Sequence, residues 1–300
     1  MQELAPGIVV STEFRRITVG AYATGRGIVC IDVPPFPEDA RRWRARLEEH
    51  FRQPIRLVVL TDAQRDRLLG LHWFDDATIL AHDAAAREIA ALPPNYIDLS
   101  ADLLAMNSDE RMAFSGVRLR RPRVSFSQRM TAYVEDVGIA LLAMPGPTPG
   151  NIWVQFPEQG IVFVGDSVVV STPPYMTRMC SKAWLESLTL LRRPRFGAEV
   201  IVPGRGPVTD RDATQPLSEW LRYVRRRVQY LVRAGRERAA VLEIVPDVIA
   251  RLEVAPAERD DLERRLKIGL EAVFEEFVRE SLAAEESSEE SASPEGLEDV

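Results

Sequence analysis

The chain has 300 residues, 46% of them apolar, enough for a large buried core, and 45 acids against 38 bases give a formal charge of −7. Seven of those acids lie in the last sixteen residues, which hold no base, so residues 1–284 carry 38 of each sign and offer no net field to draw in nucleic acid. The two cysteines, Cys30 and Cys180, stand far apart with no CxxC pair, which implies neither a disulfide framework nor a cysteine metal site and fits a reducing compartment.

In chain order, residues 8–12 read as a strand and 17–23 as its partner, and Gly25-Arg26-Gly27 turns the chain into an apolar run at 28–33 of the buried-strand type. Pro34, Pro35 and Pro37 stop that run. A helix over 38–52 follows, with Ala40, Trp43, Leu47 and Phe51 spaced for one buried face. Pro54 breaks it, and 56–60 is a second buried strand that ends at Thr61 and Asp62. A short helix from about Arg67, a strand over 78–81 and a helix from Asp83 complete a βαβ-like alternation.

The middle of the chain changes character. Residues 92–112 are punctuated by Pro, Asn and Asp, with helical patches. Strands then follow without helices, over 123–126, 130–134, 139–143, 151–156 and 160–164, with turns at Glu135-Asp136, 145–150 and 157–159. A helix over 184–192 and a strand over 200–202 lead into the rigid turn 203–207, and three helices are predicted over 217–234, 239–252 and 257–282. The organisation expected is a body over 1–210, a helical extension over 211–284 packing on that body or on a partner, and an acidic tail over 285–300. The tail is too poor in apolar residues to offset its ordering entropy and is expected to be disordered.

Four of the strand-end turns occur in a telling order: TDAQRDRLLG at 61–70, PGPTPG at 145–150, FVGD at 163–166 and VPGRGPV at 202–208. The order resembles the metallo-β-lactamase superfamily, whose members carry T-H-x-H-x-D-H-x-x-G, P-G-H-T-P-G, F-x-G-D and P-G-H-G-P in that sequence. The resemblance covers roughly residues 5–210. It implies an α/β fold of four layers, an αββα sandwich, with the C-terminal helices as an extension. It also implies a site where imidazoles and carboxylates hold one or two zinc ions that turn water into a hydroxide nucleophile.

The ligand positions implied by that resemblance have largely lost their chemistry. Asp62, Gln64 and Arg67 stand where three histidines belong, Pro147 replaces a fourth and Arg205 a fifth, leaving Asp66 and Asp166. Proline offers a metal no side-chain donor, and a guanidinium is a permanent cation. A like charge a few ångströms from a dication costs several kcal/mol even at an effective dielectric of about 20. No zinc or other cofactor is therefore expected. His50, His72 and His82 read as structural: a helix-end residue, a packed neighbour of Trp73 and Phe74, and a residue just beyond a strand. Asp66 and Asp166 should lie close together, and the economical reading is that Arg67 and Arg205 bridge them in place of the metal. The alternative is that the arginines turn to solvent and the aspartates cap local turns.

Three functional readings follow. One is a catalytically inactive family member that serves as a binding or scaffold protein. Another is an enzyme that uses a hard divalent cation at Asp62, Asp66 and Asp166 with Gln64. The third is a module that holds an anionic small molecule or phosphate on Arg65, Arg67 and Arg205. Surplus apolar residues on the last helix point to a homodimer seam or a protein partner, and the basic run at 118–123 reads as a charged strand edge. The start, MQELAPGIVVSTEF, lacks the basic and apolar stretches of a signal peptide, and no run approaches about 18 apolar residues. A soluble cytoplasmic protein, bound to neither membrane nor nucleic acid, is the expectation.

Overall fold

Side-chain alternation decides which way each strand faces, and here it sorts the apolar residues into three layers of core. The computed structural model describes residues 1–134, 137–176 and 178–292. Strands β1 (Gln2–Ala5), β2 (Ile8–Ser11), β3 (Val19–Thr24) and β4 (Gly27–Ile31) pair antiparallel in sequence order. Helix α1 (Pro37–Phe51) crosses over to β5 (Ile55–Val59). The short α2 (Arg65–Leu68) and a 3₁₀ segment lead to β6 (Thr78–His82). Helices α3 (Asp83–Ala90), α4 (Tyr96–Leu104) and α5 (Ser108–Ala113) lead on to β7 (Val124–Phe126). β4 to β7 are parallel neighbours, completing a seven-stranded sheet.

The second sheet has β8 (Arg129–Val134), β9 (Val137–Ala143), β10 (Ile152–Phe156) and β11 (Ile161–Val169) as an antiparallel run. After helix α6 (Ser181–Leu191), β12 (Val200–Arg205) joins β11 in parallel. Helices α7 (Gln215–Arg233), α8 (Val245–Ile249) and α9 (Arg259–Ala292) finish the chain. Val29 and Ile31 of β4 point between the sheets, where they meet Ile152, Val154, Phe163 and Val202. Ile28 and Cys30, one residue out of phase, face outward onto Trp43 and Leu47 of α1 and Ile89 of α3. Trp153, Val162 and Val164 face the other way, onto α6, α7 and α9. That is the αββα sandwich.

Several elements differ from the sequence expectation. β1 lies outside the predicted strands. α2 begins at Arg65 rather than Arg67, and β11 runs on through Asp166 to Val169. The single helix predicted over 239–252 is a 3₁₀ segment, Arg238–Ile244, followed by α8, because Pro246 has no N–H to donate back into a preceding helix. The backbone of α9 continues to Ala292, past residue 285 where the acidic run begins. Ala283, Ala284 and the glutamates beyond them favour helix strongly enough to extend a turn already formed. The turn predicted at Glu135-Asp136 and the tail beyond Ala292 lie outside the described residues. Most of the apolar surface on α9 packs on the body: Leu262, Leu266, Leu270, Val273, Phe274 and Phe277 are buried, while Ile268, Val278 and Leu282 are not.

Candidate functional site: a buried ion-pair core

The strand ends that carry the motif residues converge on one edge of the sandwich. Asp32 follows β4, Thr61 and Asp62 follow β5, and Asp66 and Arg67 sit on α2. Asp166 lies within β11, and Arg205 ends β12. Two glycines make the convergence possible. A Cβ on Gly204 would stand 2.2 Å from Asp166 Oδ1, and Gly165, at φ +54, would push one to 2.6 Å from Thr61 Oγ1.

Arg205 is the bridge. Its Nε and Nη2 donate to Asp166, at 3.1 Å and 2.9 Å to Oδ2, and its Nη1 donates to Asp66 Oδ2 at 2.8 Å. Nη1 also donates to the Arg16 carbonyl at 2.6 Å, which ties the β2–β3 loop to the core. Arg67 binds from the other side: Nη2 to Asp166 Oδ1 at 2.7 Å and Nε to Asp32 Oδ2 at 3.1 Å. Asp32 in turn accepts from the Thr61 amide at 2.9 Å and the Thr61 hydroxyl at 2.6 Å. The arginines are therefore not turned to solvent. Arg67 is 0% exposed and Arg205 6%.

Electrostatics within the core are uneven. Among the described residues the buried charged side chains are Asp32, Asp62, Asp66, Arg67, Asp166 and Arg205, four carboxylates against two guanidinium groups. Burial works against ionising Asp166, but Arg205 and then Arg67 outweigh it and hold its carboxyl below the ordinary range. Burial pushes Asp62 up to about 7, and Arg67, whose Nε is 4.0 Å away, offsets only part of that. Burial also raises Asp32 despite Arg67 and Thr61. The Asp62 and Asp66 carboxylates each keep one oxygen, and Arg67 its Nη1, without a hydrogen-bond partner.

The remaining predicted positions contribute less. Gln64 donates its backbone N–H to Asp62 Oδ1 at 2.7 Å, while its side-chain amide has no partner. Pro147 is buried in a turn closed by hydrogen bonds from the Thr148 amide and hydroxyl to Asn151 Oδ1, and it brings no polar atom to the core. Arg65 faces away, donating to Ser100. Arg67 is enclosed, and Arg205 is turned onto two carboxylates. The histidines sit elsewhere: His82 accepts the Ala84 amide at the start of α3, His72 packs edge-on to Trp73, and His50 packs against Phe51. Sequence reasoning misses Asp32, although a lone acid at the end of a fully apolar strand, just before Pro34, marks a carboxylate that must find a buried partner.

Outside the core lies a cavity of about 370 Å³, lined by Arg16, Ile17, Ser171, Tyr175, Arg205 and Arg265 among others. The Tyr175 ring is sandwiched there, with the Arg205 and Arg265 guanidinium carbons each 4.3 Å from its centroid.

The family model described as the metallo-beta-lactamase superfamily matches residues 18–205. The chain belongs to that superfamily. A metallo-beta-lactamase family protein from Thermus thermophilus superposes with a TM-score of 0.66 at 16% identity, over 93% of this chain and 95% of its own. A metallo-beta-lactamase from Pontibacter korlensis gives 0.56 at 19%, over 74% of this chain and 97% of its own. A stereoselective inverting sec-alkylsulfatase from a Pseudomonas species gives 0.65 at 14%, over 92% of this chain and 49% of its own. At these identities the likeness concerns the fold. No curated protein matches the sequence. Within this superfamily member the donor set does not fit zinc, since both inherited carboxylates are already ligated by guanidinium groups. No group of three or more His, Cys, Asp or Glu side chains suited to a metal occurs among the described residues.

Proposed function

We propose that this chain is a metallo-β-lactamase-fold protein that has exchanged its metal for a guanidinium–carboxylate core and acts as a binding or scaffold protein, without hydrolytic turnover. One observation carries the reading: Arg205 spans Asp66 and Asp166 at hydrogen-bond distance and so already occupies both carboxylates. A guanidinium can join strand-end loops as a dication does, but it has no empty orbital to polarise water and no proton to give up at neutral pH. Nucleophilic alternatives lack support too. Ser167 Oγ accepts from Trp153 Nε1 and has no imidazole beside it, and burial raises the Cys180 thiol away from thiolate.

A hard cation at Asp62 and Asp66 is the competing reading. The surplus of buried carboxylates and the unpartnered oxygens of both residues favour it, and Arg205 Nη1 at 2.8 Å from Asp66 opposes it. Elemental analysis of the purified, dialysed protein separates the two. The proposal requires well under one equivalent of zinc, manganese or iron, and no chelator-sensitive lactamase, thioesterase or phosphodiesterase activity. Stoichiometric metal with such an activity would overturn it.

A further inference from the structure

The outward face of α7 carries a charge distribution that the ion-pair core does not explain. Arg222, Tyr223, Arg226, Arg227 and Tyr230 recur at helical spacing on the side opposite the buried stripe of Leu217, Leu221, Val224 and Val228. They line two adjoining cavities, of about 750 Å³ and 460 Å³, that share Tyr223, Arg226 and Arg251 and so form one groove between α7 and the segment around α8. Two of the groove arginines are neutralised: Arg227 pairs with Asp247 at 2.9 Å, and Arg236 pairs with Glu243. Glu219 is bonded to Gln215 at 2.8 Å.

Arg222, Arg226 and Arg251 have no carboxylate within ion-pair distance among the described residues. Arg251 lies over the Tyr223 ring at 3.8 Å, and the Tyr230 ring is 72% exposed at the rim. Clustered like charges destabilise one another until an anion joins them, and guanidinium groups bind carboxylates in bidentate fashion. The other basic surface differs. In the cavity lined by Arg41, Arg44, Arg118 and Arg120, Arg44 is paired with Glu48 and Asp76, and Arg120 donates to the Asp75 carbonyl.

A matching anion is written at the other end of the chain. Residues 285–300 hold seven acids and no base, and the last six, EGLEDV, set Leu297 among Glu295, Glu298 and Asp299. The helix that leads there, α9, belongs to the same layer as the groove: Glu276 pairs with Arg225 of α7 at 3.2 Å and Glu275 with Arg238 at 2.7 Å. From Ser281 to Ala284 every residue is exposed, so this turn of α9 is solvent-facing before the acidic run begins. Its backbone then continues to Ala292, about 12 Å further at 1.5 Å per residue.

We infer that the groove over Arg222, Arg226 and Arg251 receives the acidic C-terminal segment of a second copy of the chain. Charge complementarity between the acidic run and the three arginines selects the occupant, and the full exposure of residues 281–284 favours a neighbour's groove over a fold-back. Reciprocal exchange closes a two-fold dimer, and the second tail then binds at the raised effective concentration the first contact creates. Tyr223 and Tyr230 offer rings to the apolar side chains of such a segment. This interaction is independent of the ion-pair core.

Sedimentation velocity on the full-length protein tests it, at low ionic strength and at about 0.5 M salt, where the Debye length falls below 5 Å. The wild type should self-associate at low salt and dissociate at high salt. The triple variant Arg222→Ala, Arg226→Ala, Arg251→Ala and the tail variant Glu295→Gln, Glu298→Gln, Asp299→Asn should each associate at least about tenfold more weakly, and combining them should add little to either. Charge reversal supplies the specific arm. Arg222→Glu, Arg226→Glu, Arg251→Glu and Glu295→Lys, Glu298→Lys, Asp299→Lys should each be monomeric alone and should associate when mixed. These side chains are at the surface, and unchanged thermal unfolding of each variant verifies that the fold is intact. A wild type that stays monomeric at low salt, association unaltered in both neutralised variants, or a charge-reversed mixture that stays monomeric would each overturn the inference.

Discussion

Arg205 grips Asp166 with two of its nitrogens, Nε at 3.1 Å and Nη2 at 2.9 Å from the same carboxylate oxygen, while its remaining nitrogen reaches Asp66. The consequence is a strand-end junction whose cohesion depends on charge matching in a site almost closed to solvent. Removing one partner strands the others. Arg205→Ala is therefore expected to lose about 3–5 kcal/mol in urea unfolding at pH 7, where an exposed pair would lose about 0–1. Arg205→Lys should recover little, since one ammonium cannot reproduce a fork that spans two carboxylates. A loss below about 1 kcal/mol for Arg205→Ala would show that the bridge is not structural.

The deficit of Arg205→Ala should shrink as pH falls from 8 to 5. Without the guanidinium the two carboxylates face each other uncompensated, and proton uptake at this junction in the folded variant relieves the repulsion, so stability increases toward acid. In the wild type Asp166 behaves in the opposite sense. Its depressed folded pKa contributes stability present above the unfolded value and lost as pH falls through the folded one. Parallel unfolding curves at several pH values for both proteins provide the comparison.

Asp62 sets the behaviour near neutrality. Its folded pKa, raised to about 7 by burial, exceeds the unfolded value near 4, so the folded protein holds the extra proton between those limits. Stability should decline as pH rises from about 4 through 7 and then level off, by about 1.4 kcal/mol for each unit separating the two values. Asp62→Asn removes that slope and should be more stable than the wild type at pH 8. An unchanged slope in the variant would assign the titration to another group.

Asp32 should matter as much as the motif residues. Asp32→Ala leaves both Thr61 donors without their acceptor and Arg67 Nε without its ion-pair partner, though Nε still donates to Thr61 Oγ1 at 3.3 Å, and losing a hydrogen bond to a charged group costs about 1.5–3 kcal/mol. Thermal unfolding should show a clear drop, with Asp32→Asn intermediate because one acceptor oxygen remains.

Restoring one histidine should not restore the metal. In Arg205→His, Arg67 still occupies Asp166 Oδ1 and Pro147 still withholds a ligand, so calorimetric titration with zinc should show no stoichiometric binding. Tight one-to-one binding would mean that Arg67 yields its place readily.

The sequence by itself determined the layering and the identity of the core. Continuous apolar runs such as 28–33 marked buried strands, and the order of the four turns, through its resemblance to the metallo-β-lactamase superfamily, implied a sandwich with its motif loops at one edge. The replacement of histidine by Arg67 and Arg205 specified the chemistry to be found there, because residue type limits what a side chain can ligate whatever the fold does. Tertiary structure decided the rest. That Asp32 supplies the fourth carboxylate, that Arg67 rather than Arg65 turns inward, and that Asp62 is left without a full partner depend on the φ of +55 at Asp32 and on the start of α2 at Arg65. No local pattern encodes those angles. They follow from how β4, β5, β11 and β12 meet, and an ion-pair core is chosen by which charges that meeting shuts away from water together.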